Sequence, residues 1–277
     1  MTAADTARTP PPSTGIDGLD DVLQGLILGD NVVLQVESME DYRAFVDPYV
    51  KRALAQQRRF IYFRFARHEE LLPPELDGVQ RVNLSADAGF AVFVTEVIDH
   101  IEEAGVEAFY LFDSLSELAA DWFSDRMLAN FFMIVCPYLY RLDTIAYFAL
   151  MKKNHSATAI DGIHNTAQVI IDIFHHRGRL FVQPCKADGR YSPTLFTLHE
   201  WTGERMEAAS SSALNAEVLA HMPEPWLEFS ASRPGPWQEQ FLRAQQVLSR
   251  ATAGVAEPDE IPTCFGKLTR MVLTRER

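Results

Sequence analysis

Residues 31 to 46 are the one stretch where residue type and spacing could organise phosphate chemistry. Asn31 to Val36 is a short β-branched and aliphatic run, which predicts a strand buried on both faces. Met39, Tyr42, Phe45, Val46, Tyr49, Val50 and Ala53 then recur at helical spacing. A strand that turns directly into a helix is where α/β proteins bind phosphate, because the free N–H groups of the first helical turn attract anions. A working loop of that kind needs glycines for close backbone approach, a lysine for the β- and γ-phosphates and a Ser or Thr for magnesium. Here the junction reads Val36-Glu37-Ser38-Met39-Glu40-Asp41-Tyr42, without glycine or lysine. Ser38 and Asp41 have the spacing of a capping box, which satisfies the helix start internally. Glu37, Glu40 and Asp41 suit the positive helix end, each by about 0.3–1 kcal/mol, and would repel a triphosphate. The junction is expected to be sealed.

Other chemistry-bearing residues read more plainly. Asp113 and Ser114 end an apolar run, and Asp113 with Ser114 or Ser116 is expected to cap the following helix. Lys152-Lys153-Asn154-His155-Ser156 lies at the C-terminal end of a strand, the edge where α/β sheets take ligands, and reads as a solvated turn. Glu69 and Glu70 precede Leu71-Leu72-Pro73 and read as a turn or helix start. His175 and His176 are adjacent, so on a strand they point to opposite faces and cannot chelate one metal together.

The elements that must position these residues follow from periodicity. Strands are predicted at 59–65, 79–84, 108–115 and 144–151, with a third-to-last pair at 168–174 and 180–185 turning at His176-Arg177-Gly178, and a last strand at 195–201. Helices are predicted over 90–101 closed by Gly105, 118–142 with Pro137 inside, and 157–167. The expected fold is an α/β domain over 13–204 with a mostly parallel sheet, flanking helices and an antiparallel hairpin at one edge. Residues 1–12, ending in Pro10-Pro11-Pro12, read as a disordered leader. Residues 205–277 read as a Pro-rich connection and a helical extension, with Trp237, Phe241, Ala244 and Leu248 on one face and a basic end from Lys267 to Arg277.

Composition narrows the function classes. A formal net charge of −13 argues against nucleic acid or an anionic membrane surface as partner, since both demand a basic footprint. No apolar run approaches the about 20 residues of a membrane-spanning helix. Cys136, Cys185 and Cys264 lack metal-site spacing, which fits reduced thiols and a cytoplasmic setting.

Thr14-Gly15-Ile16-x-Gly18-Leu19-Asp20, followed by Leu23, Gly25, Leu26 and Gly29 ahead of a strand, resembles the opening of KaiC-type ATPases of the RecA superfamily. In that family the next strand leads into the Walker A loop, so the resemblance aligns Ser38 with its neighbourhood and sets the Walker lysine on or near Tyr42. Asp113 then corresponds to the Walker B aspartate, which binds magnesium through water. The family's catalytic glutamate pair would follow the second strand, where this chain has Ala66-Arg67, with Glu69 and Glu70 displaced as a less favoured substitute. Lys186, Gly189 and Arg190 correspond to edge-strand residues that reach a neighbouring subunit's nucleotide.

A narrower resemblance rests on Gly29 to Val36, Tyr62 to His68, Asn130 to Phe132, Cys136 to Leu139 and Leu142 to Phe148. These stretches are similar to the KaiC-like module ahead of the nucleotide-binding domain in phosphoenolpyruvate synthase-like proteins (pyruvate, water dikinases). Phe265 to Arg277 is similar to the lead into the dikinase part, whose Gly-Gly-Lys and phosphohistidine segments have no counterpart here. The resemblance implies a non-catalytic pseudo-ATPase module with a regulatory or scaffolding role beside a dikinase-like partner, with homo-oligomerisation open. No cofactor is expected in that reading. Its alternative is an ATPase with an atypical phosphate loop that would take ATP and magnesium.

Overall fold

The computed structural model describes residues 10–152, 155–203 and 205–209. The extension expected beyond residue 205 therefore lies outside the described residues, apart from 205–209. The N-terminal elements are α1 (Asp17–Leu23), β1 (Asn31–Val36), α2 (Met39–Ala55), β2 (Phe60–Arg64), β3 (Val79–Asn83) and α3 (Phe90–Ala104). They are followed by β4 (Phe109–Ser114), α4 (Leu115–Asp121), α5 (Asp125–Arg141), β5 (Ile145–Met151) and α6 (Ala157–Thr166). Then come β6 (Val169–His176), β7 (Arg179–Ala187), β8 (His199–Trp201) and β9 (Met206–Ala208). The nine strands form one sheet in the order β3-β2-β4-β5-β1-β6-β7-β8-β9.

The pairings from β3 to β6 are parallel, and those from β6 to β9 are antiparallel. The chain is thus an α/β fold with a mostly parallel mixed sheet. The expected hairpin is present, with Phe174 opposite Phe181. Its turn places Arg177 and Gly178 at φ 50° and 73°, the paired left-handed conformation that matches strand twist. The last strand is shorter than predicted and gains a partner. Backbone hydrogen bonds from Leu195 to Ser192 and from Thr197 to Thr194 curl 192–197 into turns, leaving only His199–Trp201 extended against β9.

Connection handedness explains which helix covers which face. β1 connects to β2 across β5 and β4, whereas β3 to β4, β4 to β5 and β5 to β6 step the other way. Right-handed crossovers then put α2 on one face and α3 to α6 on the opposite one. The two cores agree: Val32, Leu34 and Val36 pack with Tyr42, Phe45 and Tyr49 of α2, while Val33 joins Phe131, Phe132 and Val135 of α5. All six residues of β1 are buried, as a central parallel strand requires.

The Gly-punctuated opening has a physical reason in the packing. Asp20 accepts from the Ser13 hydroxyl and from the Thr14 N–H at 2.8 Å, folding the chain back onto α1. Gly15, at φ +81°, lies against the α2 backbone at Pro48, and Gly18 lies against Met206. The proline run ahead of it is held as well: the carbonyls of Pro10, Pro11 and Pro12 accept from Arg58, Gln56 and Leu26. Among the described residues no helix is long and apolar enough to cross a membrane.

Candidate functional site

In sheets of this kind ligands sit outside the C-terminal strand ends, where neighbouring strands send their crossovers to opposite faces. β1 and β5 satisfy that condition, and the Lys152 N–H donates to the Val36 carbonyl at 2.8 Å to close them together. The candidate site is therefore built from Glu37 to Tyr42, from Lys152, and from the end of β6.

The capping box forms as the sequence predicts. The Asp41 N–H donates to Ser38 Oγ at 3.2 Å, and the Ser38 N–H donates to Asp41 Oδ2 at 3.0 Å. Asp41 is buried, and its second carboxylate oxygen is hydrogen-bonded to Nε2 of His175 from β6. Tyr42, at the position the resemblance gives to the Walker lysine, is wholly buried under the sheet. Its hydroxyl donates to the Phe112 carbonyl at 3.1 Å. Glu37 and Glu40 remain exposed at the mouth of the junction.

A second set of charges closes the site from behind, and it corrects the expectation of a solvated turn. Lys152 is only 4% exposed. Its ammonium donates to the Ile173 carbonyl at 2.7 Å, lies 3.8 Å from Asp172 Oδ1, and sits 3.7 Å from the Phe174 ring centre. Burial pushes the Lys152 pKa down, against the pull of Asp172 and Glu37. Burial pushes the Asp172 pKa up, against the pull of Lys152. The Lys152 charge is thus spent on the protein's own carbonyl, carboxylate and aromatic ring.

Asp113 is the largest correction at side-chain level. It does not cap α4: the Ser114 hydroxyl makes no cap either, and Asp113 points to β2 instead. Its fully buried carboxylate accepts from the Tyr62 hydroxyl (2.6 Å), Arg64 Nη1 (2.6 Å), and the N–H groups of Phe65 (2.9 Å) and Ala66 (3.0 Å). Three of the four donors converge on Oδ2, and the Tyr62 hydroxyl alone takes Oδ1. Burial works against the Arg64 charge, but the Asp113 hydrogen bond and negative charge outweigh it and leave the Arg64 pKa above its ordinary value. Burial and the same carboxylate push the Tyr62 pKa up.

The remaining candidates also turn inward. Lys186 donates to the carbonyls of His164 and Ala167. Arg190 is 3% exposed at its side chain and makes two hydrogen bonds to the equally buried Asp30, at 2.7 and 2.6 Å, with a third to the Gly25 carbonyl. Burial raises the Asp30 pKa while Arg190 lowers it, and burial wins. Glu69 and Glu70 lie in the loop after β2, beside a shallow cavity of about 470 Å³ with Arg43 and Asp47. Arg43 holds that loop through the Glu70 carbonyl at 2.9 Å. His175 is exposed and His176 buried, consistent with opposite faces. Among the described residues no three His, Cys, Asp or Glu side chains gather as a metal-binding group.

Sequence reading missed one cluster. Ser116 Oγ lies 2.6 Å from His155 Nε2, and His155 Nδ1 lies 3.0 Å from Asp125 Oδ1. The predicted single helix over 118–142 hides it. The chain breaks at Trp122 and Phe123, and Ser124 caps a new helix through the Met127 N–H, so that Asp125 faces the end of β5. Only the Ser124-Asp125 pair, a helix-start signal inside an apolar run, could have revealed that break.

No protein-family model matches the chain, and no curated protein matches it. The fold is a mixed, mostly parallel α/β sheet, consistent with the Rossmann- or P-loop-like class.

Proposed function

We propose that this chain is a RecA/KaiC-like module without nucleotide chemistry, a regulatory or scaffolding part of a phosphoenolpyruvate synthase-like system. The observation that carries the first half is the filled strand–helix junction. Ser38 and Asp41 satisfy the first turn of α2, and Tyr42 is buried where a phosphate lysine would be needed. The cation at the adjacent strand end, Lys152, is held by Ile173 and Asp172. An anion arriving there would meet the carboxylates of Glu37, Glu40 and Asp41, while the Lys152 ammonium is already engaged. Asp113, with four donors around one carboxylate, supports the same reading, since hydrated magnesium would have to displace them.

Titration calorimetry with ATP and magnesium is expected to give no saturable heat in the micromolar range. A micromolar affinity lost in Tyr42→Ala or Asp41→Ala would overturn the reading. Tyr42→Lys is expected to remain inactive toward ATP, because the new ammonium would replace a buried phenol beneath β4 rather than enter a loop.

The second half rests on the narrower sequence resemblance and on the basic stretch from Lys267 to Arg277. Deleting residues 260–277 is expected to leave the circular dichroism and melting of the α/β domain unchanged while abolishing co-purification with a separately expressed dikinase-like domain. Unfolding on deletion, or undiminished association, sinks that part.

A further inference from the structure

We propose that Ser116, His155 and Asp125 form an acyl-transfer centre for small neutral esters, separate from the closed β1–α2 junction. The three residues come from different elements that meet at the ligand-binding edge of the sheet. Ser116 is the second residue of α4, just past β4; His155 follows β5, the neighbouring strand; Asp125 opens α5. The distances, 2.6 Å from Ser116 Oγ to Nε2 and 3.0 Å from Nδ1 to Asp125 Oδ1, are those of a nucleophile, a base and its orienting carboxylate.

The surrounding hydrogen bonds fix the orientation of all three side chains. The Met151 N–H donates to Ser116 Oγ at 2.9 Å, which occupies one acceptor site of Oγ and leaves its proton able to point at His155 Nε2. Asp125 Oδ2 accepts from the Ser156 N–H at 2.6 Å, which fixes the carboxylate plane and leaves Oδ1 for the Nδ1 proton. Burial alone would raise the Asp125 pKa, but the His155 and Ser156 hydrogen bonds outweigh it and hold the carboxyl below its usual range. The network thus turns Nδ1 toward the Asp125 carboxylate and Nε2 toward the Ser116 hydroxyl, the orientation a serine–histidine pair needs for proton transfer.

Ser116 also has somewhere to bind a substrate. It lines an open cavity of about 500 Å³ with Ala119, Ala120, Phe123, Ser124 and Asp125. The imidazole is shielded, with its side chain 1% exposed, while Phe123 stands 96% exposed at the rim. Ala119, Ala120 and Phe123 offer apolar contact for a short acyl chain, while the Asp125 carboxylate in the same lining disfavours an anionic leaving group.

In the step proposed, Ser116 Oγ attacks the ester carbonyl carbon as its proton moves to Nε2. The tetrahedral oxyanion collapses, the bond to the leaving oxygen breaks, and that oxygen takes the proton from His155. Water then repeats the sequence on the acyl-serine, releasing the carboxylic acid and restoring the Ser116 hydroxyl. Turnover is expected to be slow, because Ser116 is nine-tenths buried and the Met151 N–H holds Oγ in place. Covalent labelling is therefore the primary readout.

The test treats the unaltered full chain with a fluorophosphonate and maps the adduct by peptide mass spectrometry, beside hydrolysis of p-nitrophenyl acetate and butyrate. The expected adduct is on Ser116. Ser116→Ala is expected to abolish it and to cut ester hydrolysis by at least about 100-fold. Asp125→Asn, which supplies the wrong partner for Nδ1, is expected to slow labelling by at least about 100-fold, and Asp125→Glu to restore part of the rate. These residues also pin the β5–α6 connection, so each variant is accompanied by a melting curve, and the mapping on unaltered protein needs no variant. No adduct, an adduct elsewhere, or full ester hydrolysis by Ser116→Ala with an unchanged melting curve makes the cluster a loop staple and overturns the proposal.

Discussion

Gly15→Ala is expected to destabilise the fold by at least about 3 kcal/mol, read as a lower urea midpoint at unchanged slope. Two costs add at this position. The backbone sits at φ +81°, where an L side chain costs about 1–2 kcal/mol. A methyl there would also lie 2.1 Å from the Pro48 carbonyl oxygen and 2.8 Å from the Tyr49 nitrogen, both backbone atoms of α2. Neither can rotate away, so the opening segment would have to lift off the helix. Gly178→Ala separates the two costs. Its φ of +73° is similar, yet nothing lies within 4 Å of the added carbon. It should lose only about 1–2 kcal/mol. Equal losses at both positions would show that contact with α2 is not what Gly15 provides.

Asp113→Asn is expected to cost about 3–5 kcal/mol, the range for stranding one member of a buried, hydrogen-bonded charge pair. The amide has the right volume and can keep its oxygen at the Oδ2 position, but the Arg64 guanidinium would lose its counter-charge. Tyr62→Phe removes one donor and leaves the others, so about 1.5–3 kcal/mol is expected there. The comparison is made by denaturant unfolding of the two variants. A loss below about 1 kcal/mol for Asp113→Asn would mean that the carboxylate is solvated and the four contacts are not formed.

Local signals were legible in the sequence and long-range ones were not. β1, the capping box at Ser38 and Asp41, and the hairpin at Gly178 each depend on residues close together in the chain, and the observed elements follow the predicted ones closely. The burial of Lys152 and His155 depends on β6 and α5, which local periodicity cannot place; a Lys-Lys-Asn-His run reads as solvent-facing on its own. Asp113 looked like a cap because a helix follows it, but the four donors that claim it come from β2 and the residues after it, about fifty positions away. The break between α4 and α5 was obscured because Trp122 and Phe123 continue the apolar pattern through it. Phe123 itself adopts φ 50°, which its residue type gives no reason to expect.

The position of β1 in the sheet has a consequence for how the chain reaches its fold. β1 pairs with β5 through Asn31↔Ala146 and with β6 through Val32↔Val169, so neither neighbour exists until well over a hundred further residues have been made. At translation rates of about 5–20 residues per second, the wait is on the order of ten seconds. During that time a strand destined for complete burial, with α2 attached, has no sheet to enter. Such non-local pairing slows folding and leaves a sticky intermediate. Nascent chains stalled before Ile145 should therefore recruit holdase chaperones, and chains stalled beyond Ala187 should release them.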